Sequence, residues 1–477
     1  MKVLHISAEC YPAAKAGGLG DVVGALPKYL SKVDMHTGVI LPKYDLKWIR
    51  QQSFETVFRG VVRIHDRYYP FAIEREQSDV LGFPFYVANI PGKFDRPGIY
   101  ADPGGYGYGD EVERYLSFQQ AVLLWVVQME NKPEVLHCHD HHTGLVPFMV
   151  KHCFEFNSLS NIPTVFTIHN GAYHGAFGWN DRHLLPFFDA NASGLLDWNN
   201  SINPLAAAIK CCWKLTTVSQ SYLMELQGDS NGLEWLLRNE APKSIGILNG
   251  IDVQVWDPKT DPYLSKPLKR SLPQFKTANK KVLCERFNID PDLPLISFIG
   301  RLVGEKGADL IPSAIAQFFR DGHRASFIIL GTGEPRLHHR FGQMTQEYPG
   351  LFDAALEYNE GLAHQIYAGS DFLMMPSRVE PCGLNQMYAM RYGTIPIVRS
   401  IGGLIDTIID IGNKEQGRGI RFDYFSVMDA AWALYRAKEL YEDQAYFKAI
   451  RKRIVQLDFS WERSAGEYVD IYEELMP

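Results

Sequence analysis

The stretch LISFIGRLVGEKG, residues 295–307, gives the clearest indication of how this chain folds. Its apolar run has no polar alternation, which is typical of a strand at the centre of a parallel sheet. Ligands of such sheets bind beyond the carboxyl ends of the strands. Arg301 and Lys306 follow the strand, so we expect them to bind an anion, although this stretch alone is equally compatible with two solvated loop charges.

A second strand, loop and helix unit lies further along the chain. The apolar run FLMM, residues 372–375, leads through Glu380 into the sequence PCGLNQ, residues 381–386, where a helical pattern begins. Backbone N–H groups at that helix start are predicted to form a second anion-binding loop at the same edge of the sheet. A carboxylate would repel phosphate, so Glu380 is predicted to meet sugar hydroxyls. The sequence therefore indicates a nucleotide-sugar.

The amino-terminal half repeats this pattern. A predicted strand, VLHIS at residues 3–7, is followed by KAGGLGDVV at residues 15–23, which leads into a helix. The loop has neither the G-x-G-x-x-G spacing nor the GK[ST] ending, so neither a dinucleotide site nor a P-loop is predicted. Lys15 before two glycines and a helix start still favours an anion. Two such halves facing each other would enclose one diphosphate.

Seven motifs in this order resemble the signature of bacterial and plastid glycogen and starch synthases. They are Lys15-x-Gly17-Gly18-Leu19-x-Asp21-Val22, His139-Asp140, Ile168-His169-Asn170, Leu248-Asn249-Gly250-Ile251-Asp252, Arg301-x4-Lys306-Gly307, Glu380-Pro381-Cys382-Gly383-Leu384 and Gly402-Gly403-Leu404. The resemblance covers essentially the whole chain. It implies a retaining glucosyltransferase of family 5 with the GT-B fold, in which two Rossmann-like, doubly wound α/β domains face each other across a cleft.

Composition agrees with an α/β protein of two domains. The chain has 477 residues, is 46% hydrophobic and carries a net charge of -7, which argues against nucleic acid or anionic membranes as partners. Its seven cysteines lack C-x-x-C spacing and are expected to be reduced. The chain opens on a strand rather than a signal peptide, and its longest apolar stretch, residues 121–127, is too short to cross a bilayer. We therefore expect a cytoplasmic protein.

Turn-forming and proline-rich stretches of the sequence predict three segments. These are an acceptor-side domain over 1–248, a nucleotide-sugar-binding domain over 249–455, and a terminal segment, 456–477, whose helix returns to the first domain. Strands are predicted near residues 3–7, 37–41, 135–139, 163–168, 214–218, 295–299, 325–330, 372–375 and 394–398, with shorter strands and hairpins over 57–88. The Arg451-Lys452-Arg453 run is expected to form one solvated face of a helix.

The run HCHDHH, residues 137–142, offers several potential metal ligands. Successive side chains of a strand face opposite ways and no second His/Asp cluster supplies an obvious completion, so no metal is predicted. The resemblance instead implies that Asp140 lines the sugar cleft. His141 stands where the family usually has Trp, so an aromatic platform for the acceptor glucan is expected to be altered.

His169 and Asn170 follow a predicted strand, where a lone histidine is more often structural. The resemblance implies that the carbonyl or ring of His169 contacts the transferred glucose and stabilises positive charge near the anomeric carbon. Asn170 is expected to line the same cleft, and Tyr100 to contact the acceptor.

The nucleotide side of the site shows one further departure. The resemblance implies that Tyr358 stacks on the base, with a half-buried loop aromatic as the alternative. Position 388, where the wider GT-B group often has Glu, is Tyr, so the ribose is expected to be held by other groups.

The resemblance implies transfer of glucose from ADP-glucose to the nonreducing end of an α-1,4-glucan with retention, without a cofactor or metal. It assigns catalysis to Glu380, His169, Arg301 and Lys306, and donor binding to Lys15, Gly18, Asp21, Tyr358, Cys382, Gly383 and Leu384. Retaining glycosidases use two carboxylates about 5 Å apart. These motifs supply only Glu380, so a front-face route is favoured, in which the leaving phosphate accepts the acceptor's proton.

Alternatives remain open at the level of sequence. A nucleotide-sugar isomerase or epimerase of the GT-B fold would use the same anion-binding loops, whereas a glucan-binding module without catalysis would not need Arg301 and Lys306. A phosphorylase would require a Schiff-base lysine, for which there is no counterpart. The sequence fixes neither the base, so UDP-glucose stays possible, nor the oligomeric state. We expect the domains to close on the donor about the turn at 249–252.

Overall fold

The computed structural model describes residues 1–476, which form two compact units. Unit 1 contains Met1–Val218, Leu223–Ile247 and the chain from Trp461 onward. Unit 2 contains Ser219–Tyr222 and Leu248–Ser460. Each unit has its own predominantly parallel sheet, and each is described separately below.

Unit 1 is built on one large sheet. Its strands are β1 (Lys2–Ile6), β2 (His36–Pro42), β3 (Phe54–Ile64), β4 (Arg67–Glu76), β5 (Phe85–Asn89), β6 (Val135–His139), β7 (Thr164–Ile168), β10 (Lys214–Thr217) and β11 (Ser244–Gly246), and a separate ribbon joins β8 (Asp197–Trp198) to β9 (Ser201–Ile202). Within the described residues the sheet order is β11-β10-β7-β6-β1-β2-β5-β4-β3. The β3–β4 hairpin is antiparallel and attaches antiparallel to β5, whereas the other pairings are parallel.

The parallel part of this sheet is doubly wound. From β1 the chain first adds β2 and β5 on one side, then returns to add β6, β7, β10 and β11 on the other. The direction of winding therefore reverses between β1 and β6. Loops leaving the carboxyl ends of these two neighbouring strands flank a crevice, which is where doubly wound sheets bind ligands.

Helices of unit 1 include one from the carboxyl-terminal end of the chain. They are α1 (Gly18–Ser31), α2 (Lys47–Gln51), α3 (Glu111–Gln128), α4 (Val146–His152), α5 (Ser193–Leu196), α6 (Pro204–Cys211), α7 (Gln220–Leu226), which begins in unit 2, α8 (Glu234–Asn239) and α17 (Trp461–Glu474). Buried Trp461, Tyr468 and Tyr472 of α17 pack in one core cluster with Leu26 and Leu30 of α1. This apolar face is what holds α17 in unit 1.

Unit 2 has a smaller sheet in which all pairings are parallel. Its strands are β12 (Leu295–Ile299), β13 (Ser326–Leu330), β14 (Phe352–Ala355), β15 (Phe372–Met375), β16 (Ile395–Arg399) and β17 (Ile420–Phe422). The order β14-β13-β12-β15-β16-β17 is the doubly wound order of a Rossmann fold. Winding reverses between β12 and β15, the two strands that the sequence places before Arg301 and Glu380.

Unit 2 has eight α-helices within the described residues. They are α9 (Leu272–Phe287), α10 (Ile311–Arg320), α11 (Pro335–Glu347), α12 (Glu360–Gly369), α13 (Asn385–Arg391), α14 (Gly403–Thr407), α15 (Val427–Glu442) and α16 (Gln444–Ile454). Of these, α10 to α14 connect the strands. The interior of the unit is apolar, with Phe298, Ile329, Leu373 and Ile397 buried on the strands. Continuous apolar strands of this kind are those of a sheet covered on both faces.

The fold class predicted from the sequence is confirmed, and the nine strands predicted with bounds are present with ends shifted by at most one residue. Two predictions need correction. The region 57–88 does not consist of short strands alone, since β3 and β4 are 11 and 10 residues long. Arg451 does not lie on a solvated face, because it is largely buried and its guanidinium pairs with Asp371 at 2.7 Å. Among residues 1–476, no helix is both long enough and apolar enough to cross a bilayer.

Candidate active site

Lys306 and Glu380 meet at the crevice of the unit 2 sheet. The Lys306 ammonium lies 2.8 Å from Oε1 of Glu380, and the Ser377 hydroxyl donates a hydrogen bond of 2.8 Å to Oε2. Glu380 is buried, whereas the lysine side chain is 24% exposed. The structure thus brings together a cation from the loop after β12 and a carboxylate from the loop after β15. Ser377 was not singled out from the sequence.

Two glycines explain how the backbone around Glu380 is held. A Cβ on Gly402 would lie 2.0 Å from the carbonyl oxygen of Glu380, and one on Gly403 would lie 2.1 Å from that of Cys382. The Gly403 N–H donates to the Glu380 carbonyl at 3.1 Å. Only glycine allows so close an approach of two backbone segments. The Gly402-Gly403 motif therefore fixes the loop that carries the carboxylate.

The loop before α13 offers backbone N–H groups. Nε2 of Gln386 donates to the carbonyl oxygens of Cys382 and Gly383 at 3.2 and 2.9 Å. The N–H groups of Gly383 and Leu384 have no acceptor within the part of the chain that the structure describes. Burial raises the pKa of the Cys382 thiol to about 12, which keeps it neutral. This loop can donate hydrogen bonds to an anion, and its cysteine is not a nucleophile.

Arg301 and Tyr358 are the exposed members of the predicted site in unit 2. The Arg301 side chain is 64% exposed, with Glu305 at 3.4 Å. Tyr358 follows β14 and is 82% exposed, so the alternative of a half-buried loop aromatic is wrong. A large exposed aromatic ring at this edge of the sheet is available for stacking on a base. Its contact with a nucleotide stays a prediction.

In unit 1 the loop before α1 is organised by Glu9, which the sequence reasoning missed. One oxygen of this buried carboxylate, Oε2, accepts the N–H groups of Ala16 and Gly17 at 2.6 and 2.9 Å. The other, Oε1, accepts the Tyr100 hydroxyl at 2.7 Å. Two of its partners are backbone N–H groups, which no side chain marks in the sequence, and the third, Tyr100, is distant along the chain. Only a motif match or the fold itself could therefore have revealed its role.

Lys15 of this loop forms an ion pair of 2.6 Å with Asp21 in the first turn of α1. Both are partly exposed, at 42% and 32%. A Cβ on Gly17 or Gly18 would meet no atom within 4 Å, so packing within unit 1 does not require glycine there. Open space beside two glycines and a lysine is what the close approach of an anionic ligand needs.

Asp140 links the ends of β6 and β7. Its backbone has φ 54°, which non-glycine residues rarely adopt and which signals local strain. Oδ1 accepts the N–H groups of His169 and Asn170 at 2.7 and 3.4 Å, and burial raises the pKa of the carboxyl group to about 6. The structure thus brings the three predicted cleft residues together, with Asp140 positioning the other two.

His169 stands at the end of a chain of buried imidazoles. Its Nε2 lies 3.0 Å from Nδ1 of His139, whose Nε2 lies 3.1 Å from Nδ1 of His5. Burial lowers the pKa of His169 to about 3. The ring is therefore neutral, with one donor and one acceptor nitrogen, and the chain of rings restricts which nitrogen of His169 carries the proton.

Two groups of side chains in unit 1 are close enough to share a metal ion. They are His5, His137 and His139, and Glu111, His141 and His142. The expectation that nothing completes the cluster at 137–142 is therefore wrong, because alternate residues of β6 share a face and β1 supplies a third ring. In the first group the rings already have protein partners: Nδ1 of His137 is 2.7 Å from the Tyr472 hydroxyl. Metal independence stays a prediction.

Both units therefore place charged and hydrogen-bonding groups at the reversal point of a doubly wound sheet. In unit 2 these groups are two cations, free backbone N–H donors and one buried carboxylate. Phosphate oxygens bind such cations and donors, and a carboxylate orients sugar hydroxyls.

Comparison with known proteins places these features in one family. The model of the starch synthase catalytic domain matches residues 2–239, and that of glycosyl transferases group 1 matches 279–453. The chain is 47% identical over 476 residues to the glycogen synthase of Flavobacterium johnsoniae, covering 99% of this chain and 98% of that protein. It belongs to the glycogen and starch synthase family. The glycogen synthase of Anoxybacillus flavithermus is 37% identical over 485 residues, covering 100% of this chain and 98% of that protein.

Solved structures agree with this membership. The catalytic domain of starch synthase IV from Arabidopsis thaliana, bound to ADP and acarbose, superposes with a TM-score of 0.86 at 32% identity over 99% of both chains. A sucrose-phosphate synthase from Thermosynechococcus elongatus superposes with a TM-score of 0.61 at 18% identity, covering 99% of this chain and 98% of that one, and shares the fold. The chain is thus a GT-B glycosyltransferase of the glycogen synthase type, and the isomerase alternative is not favoured.

Tyr388 and His141 stand at positions where related enzymes often have another residue, and their surroundings in the structure differ. Tyr388 stacks on Trp256 with ring centroids 3.9 Å apart, so it packs against the core of unit 2. His141 is only 11% exposed, its ring lies 3.7 Å from that of His142, and its Nε2 lies 3.9 Å from Glu111. In this glycogen synthase relative, His141 therefore does not present an open aromatic platform.

Tyr100 is less available than its predicted role requires. Its hydroxyl is engaged by Glu9, and its ring stacks on His142 with centroids 4.7 Å apart. These contacts make it a brace of the loop before α1. A contact with the acceptor stays a prediction.

Proposed function

We propose that this enzyme transfers glucose from ADP-glucose to the 4-hydroxyl at the nonreducing end of an α-1,4-glucan, with retention of configuration. The observation that carries the proposal is the contact of Lys306, Glu380 and Ser377 at the reversal point of the unit 2 sheet. Membership of the glycogen and starch synthase family, and the ADP and acarbose bound by a relative, support the choice of substrates.

Unit 2 is proposed to bind the nucleotide-sugar. As the bond between the anomeric carbon and the β-phosphate oxygen breaks, negative charge develops on ADP. Lys306, Arg301 and the N–H groups of the loop at Cys382, Gly383 and Leu384 stabilise it. Glu380 orients the sugar hydroxyls, and Tyr358 stacks on the base. The acceptor oxygen attacks the same face that ADP leaves, and its proton passes to a phosphate oxygen.

Unit 1 is proposed to act on the glucan side and to carry further donor-binding residues. Lys15, Gly18 and Asp21 would contact the diphosphate through the open loop before α1. His169, Asn170 and Asp140 would line the sugar cleft. A neutral His169 adds no positive charge beside the anomeric carbon, so the ring or its carbonyl dipole can stabilise the cationic transition state.

The reaction is proposed to need no metal and no cofactor. The cations of unit 2 can neutralise the leaving phosphate, which is the task that a metal performs in many phosphate sites. All seven cysteines are free thiols, which supports a reducing, cytoplasmic compartment. We propose neither nucleic acid nor a membrane as a partner.

The phosphate and sugar contacts proposed above do not select the base of the donor, because UDP-glucose has the same phosphates and sugar. A competition assay with ADP-glucose and UDP-glucose at equal concentration, in excess EDTA, tests the proposal. We expect glucan elongation from ADP-glucose in preference. Preferential use of UDP-glucose would show that the proposed donor is wrong. If EDTA abolishes transfer and added zinc or magnesium restores it, the reaction needs a metal, and the two histidine groups become candidate metal sites.

A further inference from the structure

A cleft of about 1160 Å³ lies in unit 2, away from the proposed donor site. It is lined by residues of α9 and α16, by Asp292 ahead of β12 and by Asp371, which immediately precedes β15. Arg301 and Ser377 stand beyond the other ends of these strands, which are five and four residues long. The two sites are therefore at opposite edges of one sheet, roughly 15 Å apart.

Both helices turn a basic face to this cleft. Lys276, Lys280 and Lys281 of α9 and Lys448, Arg451 and Lys452 of α16 all line it. Lys276 and Lys280 are four positions apart, and Lys448 is three and four positions from Arg451 and Lys452, so these side chains lie along one face of each helix. Basic side chains outnumber the carboxylates that line the cleft, which are Glu285, Asp292 and Asp371, so the cleft attracts anions.

The floor of the cleft supplies one carboxylate for three buried or largely buried cations. Asp371 lies 2.7 Å from the Lys280 ammonium and 2.7 Å from the Arg451 guanidinium. Lys276 instead donates to the Tyr367 carbonyl at 3.0 Å and the Thr394 hydroxyl at 2.7 Å.

Two of these basic side chains lack full compensation by an anion. The Lys276 amine contacts neutral oxygens, and burial lowers its pKa well below the ordinary value, which disfavours the charged form. Nε of Arg451 is buried and has no hydrogen-bond partner within the described residues. An anionic ligand would favour the charged form of Lys276 and offer an acceptor to the Arg451 guanidinium.

The rim adds exposed cations. Lys448 and Lys452 are exposed, and no ion pair involves either of them among residues 1–476. A phosphate group suits this arrangement, since it can take hydrogen bonds from a guanidinium and from several ammonium groups at once. The volume exceeds that of a phosphate ion and lies just above the usual range for small-molecule sites. Tyr441 and Phe447 line part of the wall and offer apolar surface to an organic body.

We propose that the cleft between α9 and α16 binds a small phosphorylated molecule, with the phosphate group held by Lys448, Arg451 and Lys452 and the neighbouring lysines of α9. The ligand is not the donor, because the donor chemistry is proposed for the other edge of the sheet. The inference does not depend on the substrates proposed above.

Calorimetric titration of the full chain tests this site, with inorganic pyrophosphate and ribose 5-phosphate as probes and ribose as the unphosphorylated control. The diagnostic variant is Lys448→Gln/Lys452→Gln, which changes two exposed side chains and so leaves the core intact. The matched control is Lys259→Gln/Lys414→Gln, which removes the same charge from exposed positions outside the cleft. Arg301→Ala/Lys306→Ala serves to remove binding at the donor site.

We expect at least one probe to bind the wild type, the matched control and the donor-site variant with equal affinity. Its affinity for the Lys448→Gln/Lys452→Gln variant should be lower by a factor on the order of ten or more. The same probe should raise the melting temperature of the first three proteins by mass action. Ribose should not bind. Equal affinity in the cleft variant, loss of binding in the donor-site variant, or failure of both probes to bind would overturn the proposal and leave the cleft as a structural ion-pair cluster.

Discussion

Lys306 and Glu380 hold each other through an ion pair of 2.8 Å in a site that is mostly enclosed by protein. A bound diphosphate would give the lysine a second anionic partner, and the charge on that partner grows as the glycosidic phosphate bond breaks. The interaction is therefore stronger in the transition state than in the ground state, which is the condition for catalysis.

The first prediction concerns the two cations after β12. Lys306→Ala and Arg301→Ala should each lower kcat on the order of 10² to 10³, the usual loss for one preorganised stabilising donor, with a smaller change in KM for the donor. Steady-state kinetics would measure both constants. Lys259→Ala, at an exposed position of the same unit, is the control and should keep normal rates. Near-normal kcat in both active-site variants would remove the proposed leaving-group site.

A pH-dependent prediction follows from Asp140. Burial raises its pKa in the folded protein to about 6, from an ordinary value of 3.8. Between these values the folded state holds a proton that the unfolded state releases, so the carboxyl group lowers stability as pH rises through this window. Above about pH 6 the full cost applies, up to about 3 kcal/mol.

Asp140→Asn keeps an oxygen that can accept the His169 and Asn170 N–H groups but removes the charge. The difference in melting temperature between the variant and the wild type should therefore be more positive at pH 7.5 than at pH 4.5. Calorimetric melting at the two pH values measures this difference. The same offset at both pH values would mean that Asp140 titrates normally in the folded protein.

Among the elements, the loop before α1 depends on a single carboxylate. Oε2 of Glu9 accepts two backbone N–H groups, those of Ala16 and Gly17, on the loop that carries Lys15. Glu9→Gln removes the negative charge, so the hydrogen bonds from the Ala16 and Gly17 N–H groups become neutral and weaker. We expect faster amide hydrogen exchange at Ala16 and Gly17 and a rise in KM for ADP-glucose of roughly tenfold.

Tyr100→Phe is the matched control, because it removes only the contact to Oε1 and leaves both N–H bonds intact. It should change exchange at Ala16 and Gly17 much less. If exchange at these two amides is unaltered in Glu9→Gln, the carboxylate does not hold the loop.

The strands and helices that carry the site could be predicted from the sequence because their signals are local. An apolar run such as residues 295–299 predicts a buried strand wherever it occurs, and the order of motifs located Arg301, Lys306 and Glu380 at strand ends. The roles of Glu9 and His5 could not be predicted in this way. Glu9 accepts hydrogen bonds from two backbone N–H groups, which no side chain marks, and from Tyr100, which is distant in sequence. Only the parallel pairing of β1 with β6 brings His5 beside His137 and His139.

Arg451 shows the same limit. A run of three basic residues indicates a solvated helix face, yet Arg451 pairs with Asp371, which is distant in sequence. Whether a cation is solvated or buried depends on which element covers its helix. That information is not present in the run itself.

For the whole molecule, each of the two units repeats one design: a doubly wound sheet with charged groups at the point where the winding reverses. The resemblance of the motifs predicted this repetition. In unit 1 these groups lie at the open loop before α1 and beside neutral imidazoles, whereas in unit 2 they include a buried carboxylate and two cations. This division of chemistry supports a donor half and an acceptor half in one glucosyltransferase.

The proposed reaction joins glucose from ADP-glucose to the nonreducing end of a glucan with its configuration retained. NMR of the products tests it, with ADP-glucose labelled with carbon-13 at the anomeric carbon, maltotriose as acceptor and EDTA in excess. We expect one labelled α-1,4-linked residue at the nonreducing end for each ADP released. A β-linked product, labelled free glucose alone, or an isomerised donor without any lengthening of maltotriose would rule out the proposed reaction.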